Sequence, residues 1–187
     1  MEYATSKYAK NFKAIVISNM QSSFPEYAAY NNKLRSRIDP DVIALMEKYE
    51  SKGDFLNPEY DALVMKHYYS HHVCRIVPFP DGVQRAMDHH NQHIYELMQG
   101  PSEFVPGGLL ADWDITDKLS TIIIPSLMVG AKHDTMDPEA MKKQASLVQK
   151  GRYLHCPNGS HMCMWDDQDI YFTGIIKFIE DVESGTF

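Results

Sequence analysis

The sequence predicts an α/β fold in which about three parallel strands carry a helical block inserted between the first strand and the second. Three observations lead there. The runs Phe12 to Ser18, β-branched at its centre, Thr121 to Val129 and Arg152 to Cys156 read as short strands. Helical patterns with start signals separate the second strand from the third and follow the third, which is the alternation parallel pairing needs for its crossovers. From about Ser22 to Leu110 there is only helical texture.

In chain order, Glu2 to Lys10 reads as the end of a helix leading into the first strand. Ser23-Phe24-Pro25-Glu26 is a capping box with proline in the first turn, and it opens a helix to about Arg37. Asp39-Pro40 opens a second, with Val42, Leu45, Met46 and Tyr49 on one face and Gly53 past its end. Asn57-Pro58 opens a third, whose face carries Tyr60, Leu63, Val64 and Tyr68. Pro80-Asp81 opens a fourth that runs toward Met98 and stops at Gly100-Pro101. Beyond the second strand a helix spans Pro138 to Lys150, and after the third a last one spans Asp167 to Glu183.

A chain of 187 residues, 44% hydrophobic and 11% aromatic, has the length and composition to form one packed core. Its net charge of −7, with Lys and Arg scattered singly, argues against nucleic-acid and anionic-membrane partners. No apolar run approaches the ~20 residues of a membrane span. Cys74, Cys156 and Cys163 form neither a C-x-x-C pair nor an even disulfide framework; reduced thiols are the simplest reading and favour a cytoplasmic setting. No cofactor and no metal are expected: His89 and His93 stand at i, i+4, but no glutamate completes an H-E-x-x-H pattern and no third ligand follows.

Two motifs carry chemistry. Gly130-Ala131-Lys132-His133-Asp134 ends an apolar strand with an acid, and Asn158-Gly159-Ser160-His161-Met162 places a histidine on a Gly-Ser loop after the next strand. Acid before histidine fits the last two members of a serine triad whose chain order is Ser, Asp, His. The first should stand upstream on a G-x-S-x-G elbow, and the sequence contains no such pentapeptide. Plainer roles compete: Asp134 as a turn carboxylate before the helix at Pro138, a task Asp137 could equally do, and His161 as a backbone-bonded loop residue, for which His155 is the other candidate. Cys163 follows His161 too closely to form a persuasive Cys-His pair. The sequon at Asn158 reads as chance, since a glycan there would block the proposed base.

Asp112 to Leu119, Ile124-Pro125-Ser126-Leu127, Gly130 to Pro138 and Gly159 to Asp167 together resemble the proline iminopeptidase family. These are α/β-hydrolase serine aminopeptidases, a group that includes the tricorn-interacting aminopeptidase and related amino-acid amidases. His72-Val73-Cys74-Arg75 and Gly100-Pro101-Ser102-Glu103-Phe104 resemble parts of that family's helical cap. Met1-Glu2-Tyr3-Ala4 resembles the helix just after the nucleophile elbow, and Phe12 to Asn19 the following strand. The resemblance implies the C-terminal part of an α/β-hydrolase fold: hydrolase core over residues 1–21, helical cap over 22–111, and core with the triad acid and histidine over 112–187. It assigns Asp134 as acid and His161 as base. Met1 then looks like an internal methionine just past the serine, so nucleophile, oxyanion hole and any signal peptide lie outside the sequence, and the chain alone is expected to be inactive.

In this resemblance Glu103 holds the ammonium of a substrate with a free N-terminus by a charge-assisted hydrogen bond. The tricorn-interacting relatives carry a glutamate directly after the triad acid; here Thr135 occupies that position, which opens the preference from N-terminal proline to other small residues or amino-acid amides. Trp113, Tyr68 and Tyr69 are candidates either to line a pocket under the cap or to form its core. The expected function is a serine aminopeptidase; an amidase, a non-catalytic interaction fragment and a two-chain enzyme with a separate N-terminal part are the alternatives. The first strand would have an open edge, suited to an N-terminal half chain or to self-association.

Overall fold

The computed structural model describes all 187 residues. Strands β1 (Ile15–Ser18), β2 (Ser126–Ala131) and β3 (Gly151–Cys156) form one parallel sheet in that order. Ile15 stands opposite Ser126 and Ser126 opposite Gly151, so the strands start level and their C-terminal ends emerge on one side. The first and third strands match the expected runs, with β1 trimmed at its start. The second begins late. Residues Thr116–Thr121 form a 3₁₀ turn, and Pro125 has no N–H to give a ladder, so β2 starts at Ser126 and continues to Ala131. The leading helix expected over Glu2 to Lys10 is instead two 3₁₀ turns, Glu2–Thr5 and Ala9–Asn11.

Between β1 and β2 the chain forms α1 (Phe24–Arg35), α2 (Pro40–Glu50), α3 (Pro58–Val64), a π-helical turn at Met65–Tyr69 running into the short α4 (Ser70–His72), then α5 (Asp81–His89) and α6 (Gln92–Gln99). Ser23, Asp39 and Asn57 each accept a hydrogen bond from a first-turn N–H, and each helix has proline in its first turn. Leu34, Met46, Tyr60, Val64, Tyr68 and Phe104 close into a core of their own. Tyr68 is fully buried within it, which makes it packing and not a pocket wall.

The helix expected from Pro80 to Met98 is broken in two. His90 is extended, with φ −68° and ψ 149°, and Asn91 caps α6 by accepting from the Ile94 N–H at 3.1 Å. A short amide side chain that bonds the backbone ahead of it competes with helix continuation. His89 and His93 therefore stand on different helices and share no face.

The helical block leaves and rejoins the sheet at one place. The Phe24 N–H donates to the Trp113 carbonyl at 2.8 Å and the Ile115 N–H to the Ser22 carbonyl at 2.9 Å, around an antiparallel bridge between Ser23 and Asp114. After β2 come α7 (Pro138–Leu147), β3, the short α8 (Cys163–Asp166) and α9 (Gln168–Ser184). Every β2 residue is buried because both faces are covered. Met128 packs with Met141 and Ala145 of α7, whereas Leu127, Val129 and Ala131 pack with Tyr171 and Phe178 of α9, the two-residue alternation of a strand. All three cysteines are free and buried. The outer edge of β1 is unpaired, with Phe12 and Val16 each 39% exposed beside it. No helix is long and apolar enough to cross a membrane.

Candidate active site

Each strand hands one residue to the same end of the sheet: Asn19 directly after β1, Asp134 in the loop after β2, His161 in the loop after β3. That end is where open parallel sheets build sites. Asn19 adopts φ +53°, a left-handed conformation asparagine tolerates better than most residues, and its N–H bonds the Val129 carbonyl at 3.0 Å. Asp134 is fully buried. Its Oδ1 accepts from the Met136 N–H at 3.0 Å and the Thr135 hydroxyl at 3.3 Å, and lies 2.9 Å from His161 Nδ1. Its Oδ2 accepts from Asn19 Nδ2 at 2.5 Å. Both oxygens are held, so the carboxylate presents one fixed atom to the imidazole. Asp137 takes the plainer role, capping α7 by accepting from the Glu139 N–H at 3.0 Å. His155 points elsewhere, its Nδ1 3.2 Å from the Tyr153 hydroxyl.

The histidine loop is tightly folded. A Cβ on Gly159 would stand 2.6 Å from that of Cys163, so only glycine lets the loop lie against α8. Asp167 accepts from the Asn158 N–H at 3.0 Å, and Asp166 from the Ser160 N–H at 2.9 Å. The His161 side chain is 24% exposed, with Nδ1 on Asp134 and Nε2 bonded to no group of the chain. Burial opposes its charge, but the Asp134 carboxylate, by charge and hydrogen bond, together with the Glu103 charge, outweighs burial and raises its pKa to about 9. No serine hydroxyl bonds His161: Ser160 donates to the Val73 carbonyl and to Asp166, and Ser18 donates to Asn19.

Glu103 follows α6 and is half-buried among tyrosines. Its Oε2 accepts from the Tyr27 hydroxyl and its Oε1 from that of Tyr95 at 3.1 Å, while Gln99 donates to both hydroxyls, at 3.2 and 3.3 Å. Burial first, then the Glu103 charge, raises both tyrosines above their ordinary range, which keeps them neutral donors. Glu103 enters none of the chain's ion pairs. Its carboxylate thus has donors but no countercharge. Thr135 is fully buried, 3.5 Å from His161 Nδ1 through its hydroxyl, and its carbonyl accepts from Asn31 of α1 at 3.1 Å. Trp113 lines a water-sized cavity of about 20 Å³ together with Tyr27, Gln99 and Met136, and its indole N–H donates to Glu2 at 3.1 Å. No three His, Cys, Asp or Glu side chains gather to hold a metal ion.

Sequence reasoning singled out Asp134, His161 and Glu103, and the structure joins the first two by a direct bond and sets the third close enough for its charge to act on His161. It passed over Asn19, Tyr27 and Tyr95. An asparagine immediately after a strand that ends at a site is the one local signal available for the first; the tyrosines meet Glu103 only through tertiary packing.

A parallel sheet with an acid and a histidine at adjoining strand ends, and a helical block inserted ahead of them, has the architecture of the α/β-hydrolases. The crystal structure of VinJ superposes with a TM-score of 0.90 over 97% of this chain and 61% of that one, at 28% identity. A proline iminopeptidase of Mycobacterium smegmatis superposes with a TM-score of 0.82 over 100% of this chain and 62% of that one, at 23% identity, a likeness of fold alone. In sequence the chain is 51% identical over 97% of its length to the proline iminopeptidase of Flavobacterium johnsoniae, and 48% identical over 100% to that of Elizabethkingia meningoseptica. By sequence, then, it is a homologue of the proline iminopeptidases. It spans 61% and 63% of the length of those two relatives. No family model matches it.

Proposed function

We propose that the chain supplies the acid, the base and the amine-recognising carboxylate of a serine aminopeptidase acting on peptides with a free N-terminus, with proline or another small residue first. The observation that carries this is the buried Asp134 fixed on His161 Nδ1, with Nε2 left free. In the reaction, neutral His161 takes the proton of a serine hydroxyl at Nε2 as that oxygen attacks the scissile carbonyl, Asp134 stabilises the resulting imidazolium, and the proton passes to the leaving amine. Water then hydrolyses the acyl-enzyme by the same base. The serine and the oxyanion donors come from outside these 187 residues, because no serine of the chain bonds His161 and none stands on a G-x-S-x-G elbow.

Glu103 binds the substrate ammonium. Its support is a carboxylate with two neutral tyrosine donors, no basic partner, and enough proximity to act on His161. Thr135 directs its hydroxyl to the Asp134–His161 pair and leaves the amine a single carboxylate, which accommodates amino-acid amides as well as peptides. The division into core (1–21), cap (22–111) and core (112–187) is supported by the bridge between Ser23 and Asp114, where the helical block leaves and returns. The open β1 edge suits an N-terminal half chain.

The purified chain should not hydrolyse proline or alanine p-nitroanilide. Joined to the N-terminal part of the Flavobacterium johnsoniae relative it should, and His161→Ala should abolish that turnover. Robust turnover by the chain alone, lost on one serine substitution, would overturn the assignment of the nucleophile.

A further inference from the structure

Resting on the Asp134–His161 assignment, we propose that His72, at the end of α4, is a positioning residue that locks the acid-bearing loop to the base-bearing loop through its ring Nδ1–H and its main-chain carbonyl. The His72 ring Nδ1 lies 2.7 Å from the carbonyl of His133, the residue directly before Asp134. The carbonyl of His72 accepts from the N–H of His161 at 2.9 Å. One residue of the helical block therefore grips both members of the pair, from the backbone outward. Since a carbonyl can only accept, Nδ1 must carry the proton, which fixes the ring as the Nδ1–H tautomer when neutral. Burial lowers the pKa of the ring, partly offset by the bond to the His133 carbonyl, so neutrality is the resting state.

The grip is extended by Val73 and Arg75. The Val73 carbonyl accepts from the Met162 N–H at 2.8 Å and from the Ser160 hydroxyl at 2.9 Å. The Arg75 N–H donates to Asp166 at 3.0 Å, and its guanidinium to the Asn158 carbonyl at 2.7 Å. From residue 158 to 162 the histidine loop is thus bonded along one side to a segment of the helical block. The backbone bonds tolerate substitution at position 72; the ring bond to His133 does not. Side-chain identity is therefore what makes position 72 specific. The ring also packs on Tyr68, with centroids 5.2 Å apart, so a packing role has to be separated from the donor role.

Two variants separate them. In His72→Asn the amide nitrogen replaces Nδ1 as donor without the ring; in His72→Phe the ring remains without a donor. The readout is the titration of the His161 imidazole, followed by NMR on the 187-residue chain, which needs no turnover and so stands or falls independently of the aminopeptidase reading. The groups that set this titration are Asp134 and Glu103. With the two loops locked, His161 titrates near 9; His72→Asn should keep it there, and His72→Phe should let it fall toward the ordinary 6.5 as the pair separates. Retention in His72→Phe, or an equal fall in both variants, would overturn the proposal. If either variant fails to fold, the same pair in the enzyme completed by the Flavobacterium johnsoniae part decides the matter. There His72→Phe should lower kcat at least tenfold with KM little changed and move the rise of the rate with pH downward, from about 9 toward 6.5, while His72→Asn should stay within twofold with its profile unmoved; any other pattern rejects it.

Discussion

Asp134 has more donors than an amide could satisfy. Asn19 Nδ2 approaches one oxygen and the Met136 N–H the other, so Asp134→Asn must turn its nitrogen toward one donor or the other: toward Met136 it gives up the acceptor that orients His161, and toward Asn19 it keeps that acceptor but without the charge that stabilises an imidazolium. In the completed enzyme this change should cost up to ~10⁴ in kcat, by loss of the correct imidazole tautomer. The fold should survive with a loss of about 1–3 kcal/mol for the donor left facing the amide nitrogen, measurable by urea titration. Glu103→Gln removes charge while keeping shape. It should lower kcat/KM about tenfold or somewhat more on free-amine substrates, the worth of a charge-assisted contact of roughly 1.5–3 kcal/mol, and leave acetylated analogues nearly unaffected. An equal loss on both substrates would make Glu103 a support of the tyrosine cluster and not a reader of the amine. His161 adds a pH dependence whose sign is fixed. Because folding raises its pKa from 6.5 to about 9, its stabilising contribution is complete below 6.5 and disappears as pH climbs through about 9. Thermal midpoints should fall across that window in the native chain and lose that part of their slope in His161→Gln.

At the level of elements, the histidine loop is the least forgiving. Gly159→Ala should cost about 1–3 kcal/mol, since the added methyl has no space against Cys163 and Asp167, and calorimetry would register the change. A midpoint unchanged within error would show that the loop can yield. This loop was legible from the sequence because its glycine, serine and histidine follow a short strand and stand beside the acid loop in a pattern that resembles one family; the Gly-Ser-His turn alone is a weak signal. So were the helix starts at Ser23, Asp39, Asn57 and Asp137, where one capping side chain and one proline suffice. The break at His90–Asn91 was not. The apolar periodicity of residues 81–98 runs straight through it, and only the Asn91 side chain, choosing the Ile94 N–H, stops one helix and starts another. The late start of β2 was hidden for a similar reason: Ile122 is a buried core residue, as a strand residue would be, but it stands just past a 3₁₀ turn and ahead of the ladder. His72 and the tyrosines around Glu103 gain their roles only from tertiary packing, and no local pattern announces them.

For the molecule as a whole, the unpaired edge of β1 is the feature with the widest consequences. It presents backbone groups with Val16 beside them, a template for another strand. The isolated chain should associate as its concentration rises, and Val16→Lys should suppress this without changing the far-ultraviolet spectrum; sedimentation velocity distinguishes the outcomes, and a monomer at every concentration would remove the edge as the cause. A different consequence follows from the place where the helical block meets the rest. Its two ends, Ser22–Phe24 and Trp113–Ile115, are a single bridge apart, so geometrically the block behaves as a cassette that could be cut out and replaced by that of a relative. Its middle is less portable. The stretch from His72 to Arg75 is laced to residues 158–162 and to Asp166, so a transplanted cassette arrives carrying one half of a seam whose other half stays behind. Chimeras that exchange the cassette together with the histidine loop should therefore keep both folding and chemistry, whereas those that exchange the cassette alone should inherit the donor's choice of substrate and lose the alignment of the recipient's base.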